Sequence, residues 1–225
     1  MVTQEHLGEY QNIINEIFVT APRAVMEESM KGLIIKDFCI MSLQKRFVLL
    51  MLVAGVFLYK ISPYTAILYM SFIFASIAIG TISYDQYENG MLYLLSTPVK
   101  KKEYVIEKFI VSLIMTVIGW TVSFLICLIM MIIQNEFSIE FLIISITMLP
   151  IAYMVSSLQI PIKLKFEAEK SKIATMITTI FLVSLFTVIP LINMNISIVF
   201  LGILMMVLIV LFYRISIQII SKKEY

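Results

Sequence analysis

The sequence predicts an all-α polytopic membrane protein with six transmembrane helices. Apolar residues make up 60% of the 225 residues and charged residues only 14%, and the mean hydropathy is +0.98. A soluble domain is typically about half apolar and about a quarter charged. An ordinary soluble domain, a disordered chain and a nucleic-acid-binding protein are therefore excluded as classes.

Six apolar segments are candidates for crossing a bilayer, because about 20 apolar residues in a helix span its hydrocarbon core. The segments are residues 47–61, 63–82, 109–133, 138–160, 173–191 and 196–213. The first is short, since Lys45 and Arg46 precede it and Lys60 ends it. Long basic side chains can reach back to the interface, so this helix can extend past them. Most of these segments are too long for the strands of a membrane barrel.

The basic residues lie almost entirely on one side of this arrangement. Sixteen of the 17 lysines and arginines fall before the first span, in the connections at residues 83–108 and 161–172, and in the C-terminal tail, whereas Lys60 alone falls on the other side. The positive-inside rule then places both termini and the two longer connections in the cytoplasm. The outer face is predicted to consist of three short turns without an outer domain.

Residues 30–46 are predicted to form a cytoplasmic helix that lies on the membrane before the first span. The residues at the spacing of one helical face are Met30, Ile34, Phe38 and Met41. The alternative is a helix that simply continues into the first span. Residues 1–29 are polar and acidic, without a signal peptide, and are interpreted as an N-terminal extension before a second candidate start at Met30.

Residue patterns for catalysis, metal binding or nucleotide binding are missing from the sequence. The single histidine, His6, lies outside every span, so neither an H-E-x-x-H motif nor a serine–histidine pair within the membrane is available. The seven glycines form neither G-x-S-x-G nor G-x-x-x-x-G-K-[ST]. Cys39 and Cys127 give no disulfide framework or metal spacing. The chain is therefore expected not to be an enzyme and to bind no cofactor or metal itself.

The connection at residues 83–108 is predicted to contain a short apolar helix, a turn, and a helix that runs into the third span. An acidic turn carries Asp85 and Glu88, and Gly90 follows as a helix breaker. Met91 to Leu95 form the apolar segment, and Thr97 with Pro98 marks the start of the next helix. Proline is tolerated at the first helical position, where its missing N–H has no intrahelical partner. An apolar segment in a polar connection indicates docking against another protein or contact with the lipid surface.

The same connection resembles the loop after the second span in type-2 ABC exporter permeases of Firmicutes. The resemblance rests on the pattern Y-D-x-x-x-E-N-G-x-x-x-L-L-S-x-P-V-x-x-K-E-Y-V-x-x-K. The start M-K-G-L-I-I-K-D-F and the loop P-I-K-L-K-F-E-A-E-K-S-K are similar to other parts of this family. Glu167 stands where the family usually has Gly, and Lys172 where it usually has Arg. The resemblance covers residues 30–225, which would be the transmembrane domain.

The resemblance implies a half-transporter in the bacterial plasma membrane: a permease that pairs with a second copy or a related permease and with two separate ATPase subunits. ATP and Mg²⁺ would be bound by the ATPase partner alone. The residues implied for coupling to the ATPase are Tyr84, Asp85, Glu88, Gly90, Met91, Leu94, Leu95 and Pro98, with Phe166, Glu169, Lys170 and Lys172 in the second cytoplasmic loop.

Within this family the sequence resembles permeases that export phenol-soluble modulins, the amphipathic helical toxins of staphylococci and their relatives. The implied cargo is an amphipathic peptide or another lipophilic molecule. Exporters of bacteriocins or drugs and lantibiotic-immunity permeases are alternatives. A further alternative is a membrane subunit that binds a peptide without transporting it. No nucleic-acid partner is expected.

Overall fold

The computed structural model describes part of the chain, and that part is mainly helical. The described residues are 30–42, 53, 55, 57–60, 62–86, 91, 99–166, 170–171, 173–177 and 198–222. We label the helices α1 (residues 30–42), α2 (Pro63–Asp85), α3 (Lys101–Gln134), α4 (Ile139–Lys165) and α5 (Ile198–Lys222). Residues 57–59 and 173–177 are also helical.

Four helices among the described residues are long and apolar enough to cross a membrane. These are α2, α3, α4 and the Leu204–Lys222 part of α5. Of the six predicted spans, those at residues 47–61 and 173–191 lie mostly outside the described residues, and they stay predictions. Helix α3 has 34 residues and is therefore about 51 Å long. This exceeds the hydrocarbon core of about 30 Å, so α3 continues beyond it.

The helix ends have local causes in the sequence. Pro63 occupies the first turn of α2. At the start of α3, the backbone N–H of Lys100 donates to Glu103 Oε2 at 3.2 Å. The helix ends at Asn135, whose φ of 56° is left-handed, a conformation that Asn adopts more easily than most residues. Ser138 Oγ then accepts from the backbone N–H of Phe141 at 3.3 Å and caps α4.

Helix α2 is the most enclosed of the four candidate spans and packs against α3 and α4. A glycine permits the close approach of α2 and α3. A Cβ atom added at Gly119 of α3 would lie 2.8 Å from Phe74 Cβ and 3.0 Å from the backbone oxygen of Met70, both on α2. Residue 119 must therefore stay small for the two helices to keep this spacing.

Most buried hydroxyl groups bond back to their own helix. The Oγ atoms of Ser71, Ser145 and Ser156 donate to the carbonyl oxygen four residues earlier at 2.6–2.7 Å, and Thr116 Oγ1 does the same. A polar side chain that finds its partner within the helix needs none from the lipid. These residues are therefore compatible with a membrane-crossing helix.

Candidate functional site

A set of polar side chains, all buried except the partly exposed Lys36, lies where α1, the end of α2 and the start of α3 meet. We call it the polar cluster, and its members are Lys36, Asp37, Thr81, Asp85, Tyr104, Glu107 and Lys108. Residues four apart share one face of a helix. This spacing brings Thr81 and Asp85 of α2 against Tyr104 and Lys108 of α3.

Lys108 is the centre of the polar cluster and is only 2% exposed. Its Nζ atom lies 2.5 Å from Asp37 Oδ2, 3.0 Å from Asp85 Oδ2 and 2.9 Å from Thr81 Oγ1. Its N–H groups donate to Asp37 and Thr81, and the contact with Asp85 is an ion pair. Lys108 thereby links all three helices through charge-assisted hydrogen bonds.

Asp85 is enclosed by partners within the chain. Its Oδ1 atom lies 2.5 Å from Lys36 Nζ, and its Oδ2 atom accepts from the Tyr104 hydroxyl at 2.9 Å. Lys108 adds an ion pair at 3.0 Å, and the residue is 7% exposed. Its predicted interaction with an ATPase stays a prediction, whereas its structural role within the chain is defined by these contacts.

Asp37 is also fully buried, on α1. Burial by itself would raise the pKa of Asp37, but the ammonium of Lys108, its hydrogen bond and that of Thr81, and the charge of Lys36 together hold this pKa below its ordinary value. Asp37 is therefore ionised at neutral pH. Lys36 and Lys108 are the two basic side chains of the cluster, and their charges balance those of Asp37 and Asp85.

Apolar residues beside the polar cluster pack Met91, in the α2–α3 connection (residues 86–100), against the ends of four helices. Met91, 2% exposed, belongs to a core with residues from α2, α3, α4 and α5: Ile79, Ile82, Tyr104, Val105, Phe109, Ile160, Leu164 and Ile220. Gln86 Nε2 also donates to the backbone oxygen of Lys163 on α4 at 2.7 Å. A displacement of this connection would therefore act on all four helices.

The residues predicted to couple to an ATPase occupy different environments. Tyr84 is 54% exposed, Phe166 is 37% exposed and Lys170 is exposed, whereas Asp85 and Met91 are buried. Tyr104 connects the last two, because it belongs to the Met91 core and its hydroxyl donates to Asp85. The remaining predicted residues lie outside the described residues: Glu88, Gly90, Leu94, Leu95, Pro98, Glu169 and Lys172.

Sequence reasoning did not select six of the seven members of the polar cluster, namely Lys36, Asp37, Thr81, Tyr104, Glu107 and Lys108. A signal for them was present. The pairs 81/85 and 104/108 have the spacing of one helical face. The Lys-Asp pair at residues 36–37 and the lysine at 108 also stand within the two segments on which the resemblance to permeases rests. These two segments, distant in sequence, meet in the structure.

The fold and this site define a class of protein: a polytopic helical membrane protein in which polar groups join the ends of the apolar helices. The family model described as ABC-2 family transporter protein matches residues 32–222, and the chain belongs to this family. It is accordingly a membrane permease subunit of an ABC transporter, and ATP hydrolysis belongs to a separate subunit. No match to the chain is found among curated proteins or among solved structures.

Proposed function

We propose that the chain is the permease subunit of an ATP-driven exporter in the plasma membrane, and that its cargo is an amphipathic peptide similar to the phenol-soluble modulins or another lipophilic molecule. The observation that carries the transport function is the family match over residues 32–222. The peptide cargo rests only on the likeness of the sequence, within this family, to permeases that export such peptides. Two copies, or this chain and a related permease, would assemble with two ATPase subunits.

The composition of the spans supports a lipophilic cargo. Residues 63–84, 109–134 and 141–162 of α2, α3 and α4 contain no charged side chain. Transporters of ions and of strongly polar substrates typically keep ionisable groups inside their spans. A cargo that partitions into the inner leaflet could instead enter between helices from the lipid, and its own apolar face would contact the apolar side chains of the permease.

The contacts of the α2–α3 connection support a coupling role. In the proposed mechanism, closure of the ATPase dimer pushes on residues 86–100. The Met91 core and the hydrogen bond from Gln86 to Lys163 distribute this push over the ends of α2, α3, α4 and α5. The polar cluster moves α1 together with them, since Lys108 bonds Asp37 directly. The rocking of the spans then opens an outward path between the two permease halves.

The decisive experiment is co-purification of the full chain with the ATPase encoded next to it, followed by reconstitution in lipid vesicles and measurement of ATP hydrolysis. An amphipathic helical peptide should stimulate hydrolysis and accumulate on the side opposite the ATPase. A scrambled peptide of the same composition, without an apolar face, is the matched control. The chain purified without an ATPase should neither bind nor hydrolyse ATP.

The alternatives give different results in the same experiment. If a bacteriocin or a small drug stimulates ATP hydrolysis and amphipathic helical peptides do not, the cargo is the bacteriocin or drug and the proposed peptide cargo is wrong. Peptide binding with no ATPase association and no vesicular accumulation would indicate a non-transport or immunity subunit. In that case the export mechanism above would be wrong, although the family assignment would remain.

A further inference from the structure

The polar cluster contains one carboxyl group more than its basic groups balance. Its acidic side chains are Asp37, Asp85 and Glu107, and its basic side chains are Lys36 and Lys108. Glu107 is 0% exposed. Burial of an uncompensated charge in a low-dielectric environment is strongly unfavourable, so such a group normally takes up a proton instead.

The hydrogen bonds identify the group that lacks compensation. Lys108 donates to Asp37 and Thr81 and forms an ion pair with Asp85 at 3.0 Å. Its Nζ atom is 3.5 Å from Glu107 Oε2, too far for a good hydrogen bond. Among the described residues, no N–H or O–H group donates to either oxygen of Glu107 or to the Oδ1 atom of Asp37.

Both carboxyl groups nevertheless lie beside the same ammonium group, with Glu107 Oε2 3.5 Å and Asp37 Oδ2 2.5 Å from Lys108 Nζ, and Asp37 is the side chain with which Glu107 can form a hydrogen bond. Two carboxylates in contact repel each other, whereas a carboxylic acid donates a short, charge-assisted hydrogen bond to a carboxylate. Because Asp37 is ionised through its contacts with Lys108 and Thr81, the proton belongs on Glu107. A single proton satisfies both groups and makes the cluster electrically neutral.

We propose that Glu107 and Asp37 form a proton-binding site, in which the acid form of Glu107 donates a hydrogen bond to Asp37 and joins α3 to α1. Loss of this proton leaves two buried carboxylates in contact and separates α1 from the α2–α3 pair. The site makes the junction of these helices sensitive to alkaline pH. This inference depends neither on the proposed cargo nor on export.

The neighbours of Glu107 come from every adjoining helix. Helix α1 contributes Lys36 and Asp37, and α2 contributes Asp85. Helix α3 contributes Tyr104 and Lys108, with the contacts given above. One turn before Glu107, the carboxylate of Glu103 accepts from the backbone N–H of Lys100 and lies 4.0 Å from its ammonium group. From α4, the hydroxyl of Tyr153 donates to the backbone oxygen of Phe109, and from α5 the ring of Tyr213 packs edge to face against the ring of Phe109. Lys36 and Lys108, the two lysines already counted, form the ion pairs with the carboxyl groups of the cluster.

Infrared difference spectroscopy of the full chain in lipid nanodiscs tests the site directly, between about pH 6 and about pH 9.5, the range that brackets documented buried glutamates. Raising the pH should remove the carbonyl band of one protonated carboxylic acid and add a carboxylate band. Glu107→Gln should lack this change. Glu136→Gln, which alters an exposed carboxyl at the other end of α3, should retain it.

A second variant tests the role of Asp37. In Asp37→Asn, the carboxyls of Asp85 and Glu107 are balanced by Lys36 and Lys108 without a proton, so the carboxylic acid band should already be absent at pH 7. Persistence of the band in Asp37→Asn, its persistence in Glu107→Gln, or its absence from the unmodified protein would each overturn the proposal.

The pH dependence of thermal unfolding is an independent test, and it can be compared between proteins even when a substitution changes their stability. A proton held more tightly in the folded state stabilises the protein at low pH, and this contribution is lost as the pH rises. The unfolding midpoint of the unmodified protein should therefore fall between about pH 6 and about pH 9.5. Glu107→Gln can still donate to Asp37, so its midpoint should change little over this range. An equal fall in both proteins would contradict the proton site.

Discussion

Replacement of Lys108 by Met tests whether the polar cluster holds α1, α2 and α3 together. The substitution keeps a long side chain but removes the ammonium group that contacts Asp37, Asp85 and Thr81. Asp85 retains Lys36 and Tyr104 as partners. Asp37 loses its 2.5 Å contact with Lys108. It keeps Thr81, the more distant Lys36 at 3.5 Å from its Oδ1 atom, and the proposed hydrogen bond from Glu107.

The expected magnitude follows from this loss of compensation. Removal of one partner from a buried ion pair destabilises a protein by about 3–5 kcal/mol. In a chain of this size, 1 kcal/mol shifts the thermal midpoint by about 2–4 °C. Lys108→Met should therefore lower the midpoint by about 6–20 °C. The measurement is thermal unfolding of the purified protein in detergent, followed by intrinsic fluorescence or by retention of the monodisperse species.

Two controls separate the buried charge from general effects of the substitution. Lys102→Met removes an exposed lysine from the same helix and should shift the midpoint by about 1 °C or less, because exposed charges contribute little. Asp37→Asn combined with Lys108→Met should recover part of the loss, since the uncompensated carboxylate is gone. If Lys108→Met is no less stable than Lys102→Met, the cluster does not hold the helices together.

Further expected outcomes concern coupling, topology and helix packing. Leu94→Ser with Leu95→Ser should weaken pull-down of the ATPase by several-fold to more than a hundredfold at matched membrane expression, since burial of each leucine contributes about 1.5–3 kcal/mol. Undiminished pull-down with normal export would instead favour a loop that lies on lipid. A cysteine at Asn135 should react with an impermeant thiol reagent from outside the cell and one at Lys101 should not, and the opposite labelling would reverse the topology. Gly119→Val should destabilise the fold by about 1–3 kcal/mol, because its side chain meets Phe74 and Met70 backbone; an unchanged unfolding midpoint would contradict the close helix contact.

Local properties of the sequence were sufficient to predict the apolar helices. Residues 63–82 and 109–133 were predicted as spans, and the structure has helices at Pro63–Asp85 and Lys101–Gln134. Length and hydropathy are properties of a contiguous segment, so they can be read without a partner. The helices continue past the apolar segments, because backbone hydrogen bonds propagate along a helix once it has formed and the polar residues beyond find partners.

The candidate site was only partly accessible to the same reasoning. The pattern of the α2–α3 connection drew attention to Asp85 and Met91 and led to the resemblance with permeases. It could not show that Met91 faces inward or that Asp85 bonds Lys36, since both depend on which neighbouring helix covers that side. The predicted coupling residues outside the described part of the chain, Leu94 and Leu95 among them, stay predictions.

Sequence alone therefore determined the class of protein, its apolar helices and the family resemblance, while the tertiary structure decided which charges meet. Asp37 and Lys108 are 71 residues apart and Asp37 and Thr81 are 44 apart. Helical periodicity assigns each residue to a face of its own helix, but it contains no information on the rotation of one helix about another. Only the packing of α1 against α2 and α3 removes these groups from water, and that removal makes their pairing energetically necessary and favours the proposed proton on Glu107.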